Sequence, residues 1–240
     1  APATREAARA PATFLPPLIR RRCSNLTRAS LEVAHACVPG EEASNVESVF
    51  VSRHGEAEVT EKVLEALARG EAPSPNDFSV SVHNTASGLF SIHTKNLLPS
   101  TAIAASSFSL EAAFAETSNA FARNRGAHDV LVVVADMPCP DVFEFQETSP
   151  CFALGMLFTC RAEDASRLTW TLRASNGPEM QSPLTSSPSE VAWLRWAFLG
   201  ADQFGPLGGG TRLQLRREGV DWNQLFTSPP SHVTTSREAA

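Results

Sequence analysis

The stretch TAIAASSFSLEAAFAETSNAFARNRGAHDVLVVVAD, residues 101–136, carries the pattern that decides the fold. Leu110, Ala113, Phe114, Thr117 and Phe121 recur at the spacing of one helix face, so a helix is expected from about Ser109 to Asn124. Phe114 and Phe121 should be closed off from solvent beneath it. The helix feeds Val130-Leu-Val-Val-Val134, an aliphatic run without polar alternation. Bounded by turn residues, such a run predicts a strand buried on both faces and therefore central in its sheet. Thr101 to Ala105 precedes the helix as a short strand of small residues. Strand, helix and buried strand in succession predict a layered α/β domain whose sheet is at least partly parallel.

Outward from this centre the alternation continues. Towards the N-terminus, Ile19, Cys23, Leu26, Ser30, Val33 and Cys37 follow helical spacing from Leu18 until Pro39-Gly40 stops them. Val46 to Ser52 reads as a strand. Val59, Val63 and Leu67 mark the buried face of a helix that turns Glu56, Glu58, Glu61 and Lys62 to solvent. Phe78 to Asn96 is mixed: its first half alternates like a strand, and its second half is compatible with a helix. On the C-terminal side, Cys151 to Cys160 and Leu168 to Ala174 read as strands. Ser187, Pro188 and Glu190 form a capping box that opens a helix through Val191, Leu194 and Phe198 to Gly200. Leu207 to Thr211 is a glycine-rich turn leading into 213–226. No internal repeat or linker divides the core, so one domain over 14–226 is expected. The flanks 1–13 and 227–240 are short of large apolar side chains and are expected to be disordered.

Composition narrows the function. A net charge of -6 gives no general attraction for nucleic acid. No apolar run approaches the ~20 residues of a membrane span, and the first residues lack the apolar core of a signal peptide. The first residue is Ala1 rather than Met, which suits a start inside a longer natural chain. Five cysteines, Cys23, Cys37, Cys139, Cys151 and Cys160, show no paired spacing and read as free thiols of a reducing, cytoplasmic setting. The six histidines form no metal-binding pattern, so neither metal nor cofactor is expected.

The segment with chemical potential runs from Val80 to Leu110. Ser106-Ser-Phe-Ser-Leu110 opens a helix directly after a strand, where backbone N–H groups and the helix dipole can support a developing oxyanion. The same serines also suit helix capping. No glycine flanks them, which excludes the elbow of serine hydrolases. His83-Asn84 reads as a partly buried polar pair, His54 as a surface hydrogen-bonding group, Gly55 as a turn and Asp136 as a loop or cap residue. Trp193 and Trp196 suit either a core or a partner face.

The order of these parts (a Ser/Asn segment, Pro99-Ser100, a small strand, A-x-S-S-x-x-L at a helix start, then the valine strand) resembles the N-terminal half of the β-ketoacyl synthases. In that family the junction reads approximately T-A-C-S-S-S-L, and its cysteine carries the growing acyl chain. Aligning Leu110 places Ser106 at the nucleophile position, whereas counting from Pro99 places Ser107 there. Neither is a thiol. The family's second half, with two catalytic histidines, has no counterpart: beyond His128 only His232 remains. The chain is also similar to the short chain-length factors that accompany aryl-polyene ketosynthases. The segments that carry this likeness are FLPPLIRRRCSNLTRASLEVA (14–34), FVSRHGEAEVTEKVLEALARGE (50–71), SPNDFSVSVHNTASGLFSI (74–92), the strand at Ala153 to Leu157 and Leu194 to Trp196.

The resemblance implies half of a thiolase-like fold, a layered mixed sheet with helices on both faces. It implies a catalytically inactive, bacterial chain-length factor that forms a heterodimer with a β-ketoacyl synthase in polyene or fatty-acid-like biosynthesis. Thr101, Ala102, Ile103, Ala104 and Ala105 would line the two-fold interface, and Phe90 and Phe108 would limit the acyl tunnel. Arg20, Arg21, Arg22 and Arg28 would meet an acidic acyl carrier protein, if they are not simply a solvated helix face. The competing readings are an acyltransferase or thioesterase using Ser106 or Ser107 with His83, and a homodimeric scaffold for carrier protein.

Overall fold

The computed structural model describes residues 10–105, 109–143 and 151–159, and the backbone of 166–174, 211–217 and 233–236. Helices α1 (Pro17–Arg22) and α2 (Asn25–Cys37) replace the single helix expected from Leu18. Cys23 is extended, and the Ser24 side chain accepts the N–H of Thr27 at 2.9 Å to start α2 afresh. The apolar spacing ran through this break because Cys23 and Leu26 are buried on either side of it.

Strand β1 (Val46–Val51) is buried along its whole length. In α3 (Ala57–Ala68) Val59 and Val63 are buried, but Leu67 is 56% exposed, so the expected apolar face ends a turn early. No strand forms over Phe78 to Val82. Ser74 accepts the N–H of Asp77, Pro75 occupies the first turn, and a short helix α4 (Pro75–Val80) follows. Helix α5 (Thr85–Thr94) leads to β2 (Ser100–Ile103), which leaves Ala104 and Ala105 beyond the strand end expected for them. Helix α6 (Ser109–Asn124) matches its expected range. Phe114 is fully buried there, whereas Phe121 is only partly buried, correcting the expectation that both are closed off. Strands β3 (Asp129–Asp136), β4 (Phe152–Thr159), β5 (Ser166–Ala174), β6 (Thr211–Arg217) and β7 (Val233–Ser236) complete the described elements.

The strands hydrogen-bond in the order β2-β1-β3-β4-β7-β5-β6. β1 runs parallel to both β2 and β3, and β4 runs antiparallel to β3, so the sheet is mixed. Helix α6 covers one face, where Leu110 and Phe114 meet Val49, Val51, Val130, Val132, Val134 and Phe158. The Phe114 and Phe158 rings stand edge-to-face at 5.9 Å. Helices α2 and α5 cover the other face, where Leu31, Ala34 and Phe90 meet Phe50, Leu131, Val133 and Leu157. The valine strand is thus interior and buried on both sides. Gly155 permits the close approach of α2, since a Cβ there would lie 2.7 Å from Cys37 Sγ and 2.8 Å from the Val33 carbonyl. Burial at this seam pushes the Cys37 thiol up to about 11.

Two parts of the flanks make contacts distant in sequence. Ala12 is fully buried and its N–H donates to Glu32 Oε2 at 2.7 Å, while Val233–Ser236 pair with β4 and β5. Backbone pairing needs no large side chains, so composition carried no sign of it. The helix expected over 187–200 lies outside the described residues.

Candidate functional site

One edge of the described sheet lies at β2, the other at β6. Among the described residues β2 pairs only with β1. Ser48 and Ser52 donate their N–H groups to the carbonyls of Pro99 and Ile103. Strand alternation therefore turns the N–H and C=O of Ser100 and Ala102 outward, away from β1. Thr101 Oγ1 donates to Glu116 Oε1 of α6 at 3.3 Å, and Ile103 packs towards the α6 core. Of the expected interface residues, Thr101, Ala102, Ile103 and Ala105 are partly buried and Ala104 is exposed.

Large apolar side chains are exposed on the helices before this edge and on the turn into it. Leu97 is 97% exposed, Ile92 70% and Phe78 65%, with Leu18 and Val82 also outward. Of these, Val82 and Ile92 line one groove, and exposed apolar surface that gathers in this way marks interaction sites more often than single exposed side chains do. The sequence reading missed α4 and α5 as surface; Ser74-Pro75 was the available helix-start signal. Between α1, α4 and α5 lies a groove of about 300 Å³ lined by Ile19, Val80, Val82, Leu89 and Ile92, with Arg22 among its walls. Arg20, Arg21 and Arg22 form the last turn of α1, where Arg21 and Arg22 are exposed. The Arg28 guanidinium reaches back to donate to the Arg20 carbonyl. The four arginines are thus gathered, with two free to face a partner and Arg28 engaged in closing α1.

A second constellation sits at the carboxyl ends of the parallel strands β1 and β3, where ligands of open α/β sheets commonly bind. Asp136 is 1% exposed; its Oδ1 accepts the Ser52 hydroxyl at 2.9 Å and the Arg53 N–H at 2.7 Å. Burial raises the Asp136 pKa, against the hydrogen bonds from Arg53 and Ser52 and the nearby charges of Arg53 and His54. Ser52 Oγ also accepts the Gly55 N–H, so Asp136 fixes the whole β1–α3 turn. Glu56, next in that turn, is buried and accepts the Thr27 hydroxyl. Neither carboxylate was legible as a buried group, because Asp136 meets Ser52 across 84 positions and Glu56 meets Thr27 across 29.

Ser106, Ser107 and Phe108 lie outside the described residues. Phe90 is 3% exposed and packs on Phe50 with ring centroids 5.7 Å apart. His83 is half-buried against Gly55, whereas Asn84 is exposed, so only half of that polar pair is interior. Among the described residues no group of three or more His, Cys, Asp or Glu side chains could hold a metal ion, and no helix is long and apolar enough to cross a membrane.

Residues 1–206 match the family model of the beta-ketoacyl synthase N-terminal domain. The chain belongs to that family. Its α/β fold is the N-terminal half of the thiolase-like ketosynthase architecture. Among solved structures, this ketosynthase-like domain is similar to a chain of the ketosynthase ApeO in complex with its chain length factor ApeC from Xenorhabdus doucetiae. The two chains share 25% identity and superpose with a TM-score of 0.63, covering 86% of this chain and 83% of that one. No curated protein matches the sequence.

Proposed function

We propose that this ketosynthase-like domain is a non-catalytic chain-length factor that pairs with a β-ketoacyl-ACP synthase and shapes its acyl tunnel. The observation that carries the reading is the open edge of β2, whose outward backbone groups call for a partner. The similarity to a chain of a ketosynthase–chain length factor complex supports it. Coverage of more than four fifths of both chains makes the matched chain similar in size to this one. Ser106 and Ser107 then cap α6 rather than attack a thioester. An acidic carrier protein meets the arginines at the end of α1, and the Phe108 ring closes the tunnel. The burial of Phe90 against Phe50 favours a packing role for that ring.

Co-expression with a partner ketosynthase and a carrier protein tests the reading. Ser106→Ala and Ser107→Ala should leave condensation intact in the assembled complex. Phe108→Ala should assemble normally and shift the products, read by mass spectrometry, to longer chains. Loss of condensation without loss of assembly in either serine variant would instead favour a serine acyltransferase.

A further inference from the structure

Gly55 adopts a left-handed backbone with φ +56°, and a Cβ there would lie 2.3 Å from Nδ1 of His83. The His83 imidazole, on the turn between α4 and α5, therefore rests on the bare Cα of Gly55. The adjacent Glu56 turns its carboxyl inward and is 4% exposed. Oε1 of Glu56 accepts the Thr27 hydroxyl, but its buried Oε2 has no hydrogen-bond partner, and neither does the buried Nε2 of His83. Buried polar atoms are nearly always paired, so two open ones at a single seam are a departure with a cost. Thr85 Oγ1 donates to the Val80 and Val82 carbonyls at 3.0 and 2.7 Å, which ties the turn to the start of α5 rather than to β1 or α3. Val80 is the buried residue of α4, and the Ser81 carbonyl accepts the Thr60 hydroxyl only at 3.4 Å.

We propose that Glu56 and His83 form an ionisable clasp that fastens the α4–α5 turn to the end of β1 and so fixes the exposed apolar face of α4. Its consequence for assembly rests on reading that face as part of the partner surface; the clasp itself is a property of the single chain.

The direction of its pH dependence follows from the groups around Glu56. Burial raises the carboxyl's pKa, and the charge of Glu58 on α3 pushes the same way. The hydroxyls of Ser24 and Thr27 on α2 and the charge of His83 oppose it. A raised pKa means that the folded chain holds the proton more tightly than the unfolded chain does. The stabilisation is complete below the unfolded carboxyl's pKa and is lost as pH rises through the folded value. Above that value the seam holds a buried carboxylate with one open oxygen, and the turn loosens.

Hydrogen–deuterium exchange on the full chain between pH 5 and 8, corrected for intrinsic rates, tests this. Peptides spanning 75–84 should lose protection as pH rises, by about tenfold for each unit of raised pKa, while 130–134 stay protected. Glu56→Gln should abolish the pH dependence. Unchanged protection of 75–84 across the range, or the same slope in Glu56→Gln, would overturn the clasp. If that variant does not fold, the side-chain carboxyl of Glu56 can be titrated by carbon NMR in the unaltered protein. A midpoint above the ordinary glutamate range, with the His83 ring resonances moving at the same pH, supports the clasp; an ordinary midpoint or a silent His83 overturns it. Association with the ketosynthase is a separate measurement. Pairing that ignores pH while the clasp titrates upholds the clasp and removes α4 from the partner surface.

Discussion

Strands β3 and β2 are both parallel neighbours of β1, yet they live in opposite surroundings. β3 is eight residues long and buried from Val130 to Asp136, with Val132 paired between Val49 and Met156. β2 is four residues long, none of them fully buried, and among the described residues it is paired on one side. An aliphatic strand needs cover on both faces, and α6 with α2 supplies it here. A short strand of small residues tolerates an open edge until another chain arrives. Stability is therefore concentrated at β3 and α6, and the proposed assembly at β2.

The sharpest way to break this contrast is to truncate Phe114, whose ring meets Phe158 edge-to-face in the α6–β3 core. Phe114→Ala should destabilise the chain by ~3–5 kcal/mol in denaturant unfolding. A cost below ~1 kcal/mol would show that β3 is not where the stability lies. The matching test on β2 is Ala102→Pro. The N–H removed points to the open side, so the isolated chain should lose less than ~1 kcal/mol. Affinity for the ketosynthase partner, measured by titration of the two purified chains, should fall by at least about tenfold through loss of a cross-strand bond. Equal affinity would place the interface elsewhere.

The same contrast explains what was legible. β3 and α6 could be read from the sequence because burial there is dense, so side-chain pattern and structure are the same fact. α4 could not, because Phe78 and Val82 point outward and their alternation with Val80 imitates a strand whose pattern burial did not make. The Ser24 cap was local and present in the sequence, but the continuous apolar spacing from Ile19 to Cys37 hid it. The edge position of β2 was implied only by family resemblance, since a strand's neighbours are set by the whole topology. The seam of Glu56 and His83 depends on contacts distant in sequence, and nothing local to either residue announces it.

A smaller effect is expected where β3 ends. Asp136 ties the last residue of β3 to the turn after β1 through Ser52 and the Arg53 N–H. Asp136→Ala leaves two donors without their acceptor and should cost ~1–3 kcal/mol, read by urea unfolding. Because burial raises the Asp136 pKa, its ionisation subtracts stability as pH rises through the folded value. The penalty for Asp136→Ala should therefore shrink towards alkaline pH, and a penalty that grows instead would mean that Arg53 and His54 more than compensate its charge.

The smallest effect concerns the entrances to the two strands. Each follows a helix that ends on a left-handed residue other than glycine: Lys95 with φ 56° after α5, and Arg125 with φ 54° after α6. L-residues are strained in that region by ~1–2 kcal/mol, part of which a glycine returns as extra freedom of the unfolded chain. Both side chains are exposed, so Lys95→Gly and Arg125→Gly remove little packing. The turn after Lys95 is held independently, since Asn96 Nδ2 donates to the carbonyls of Ala43 and Val46 at 2.9 and 2.7 Å and its Oδ1 accepts the Leu98 N–H. Because that clamp sets the path into β2 whatever residue precedes it, relief of strain should appear undiluted in the folded state. Each substitution should stabilise the chain by about 0.5–1 kcal/mol, raising Tm by ~1–4 °C in calorimetry. If Lys95→Gly stabilises and Arg125→Gly does not, the entrance to β3 is set by Arg125 itself. The buried strand would then be the one that depends on its turn, with the open-edged strand held by its asparagine.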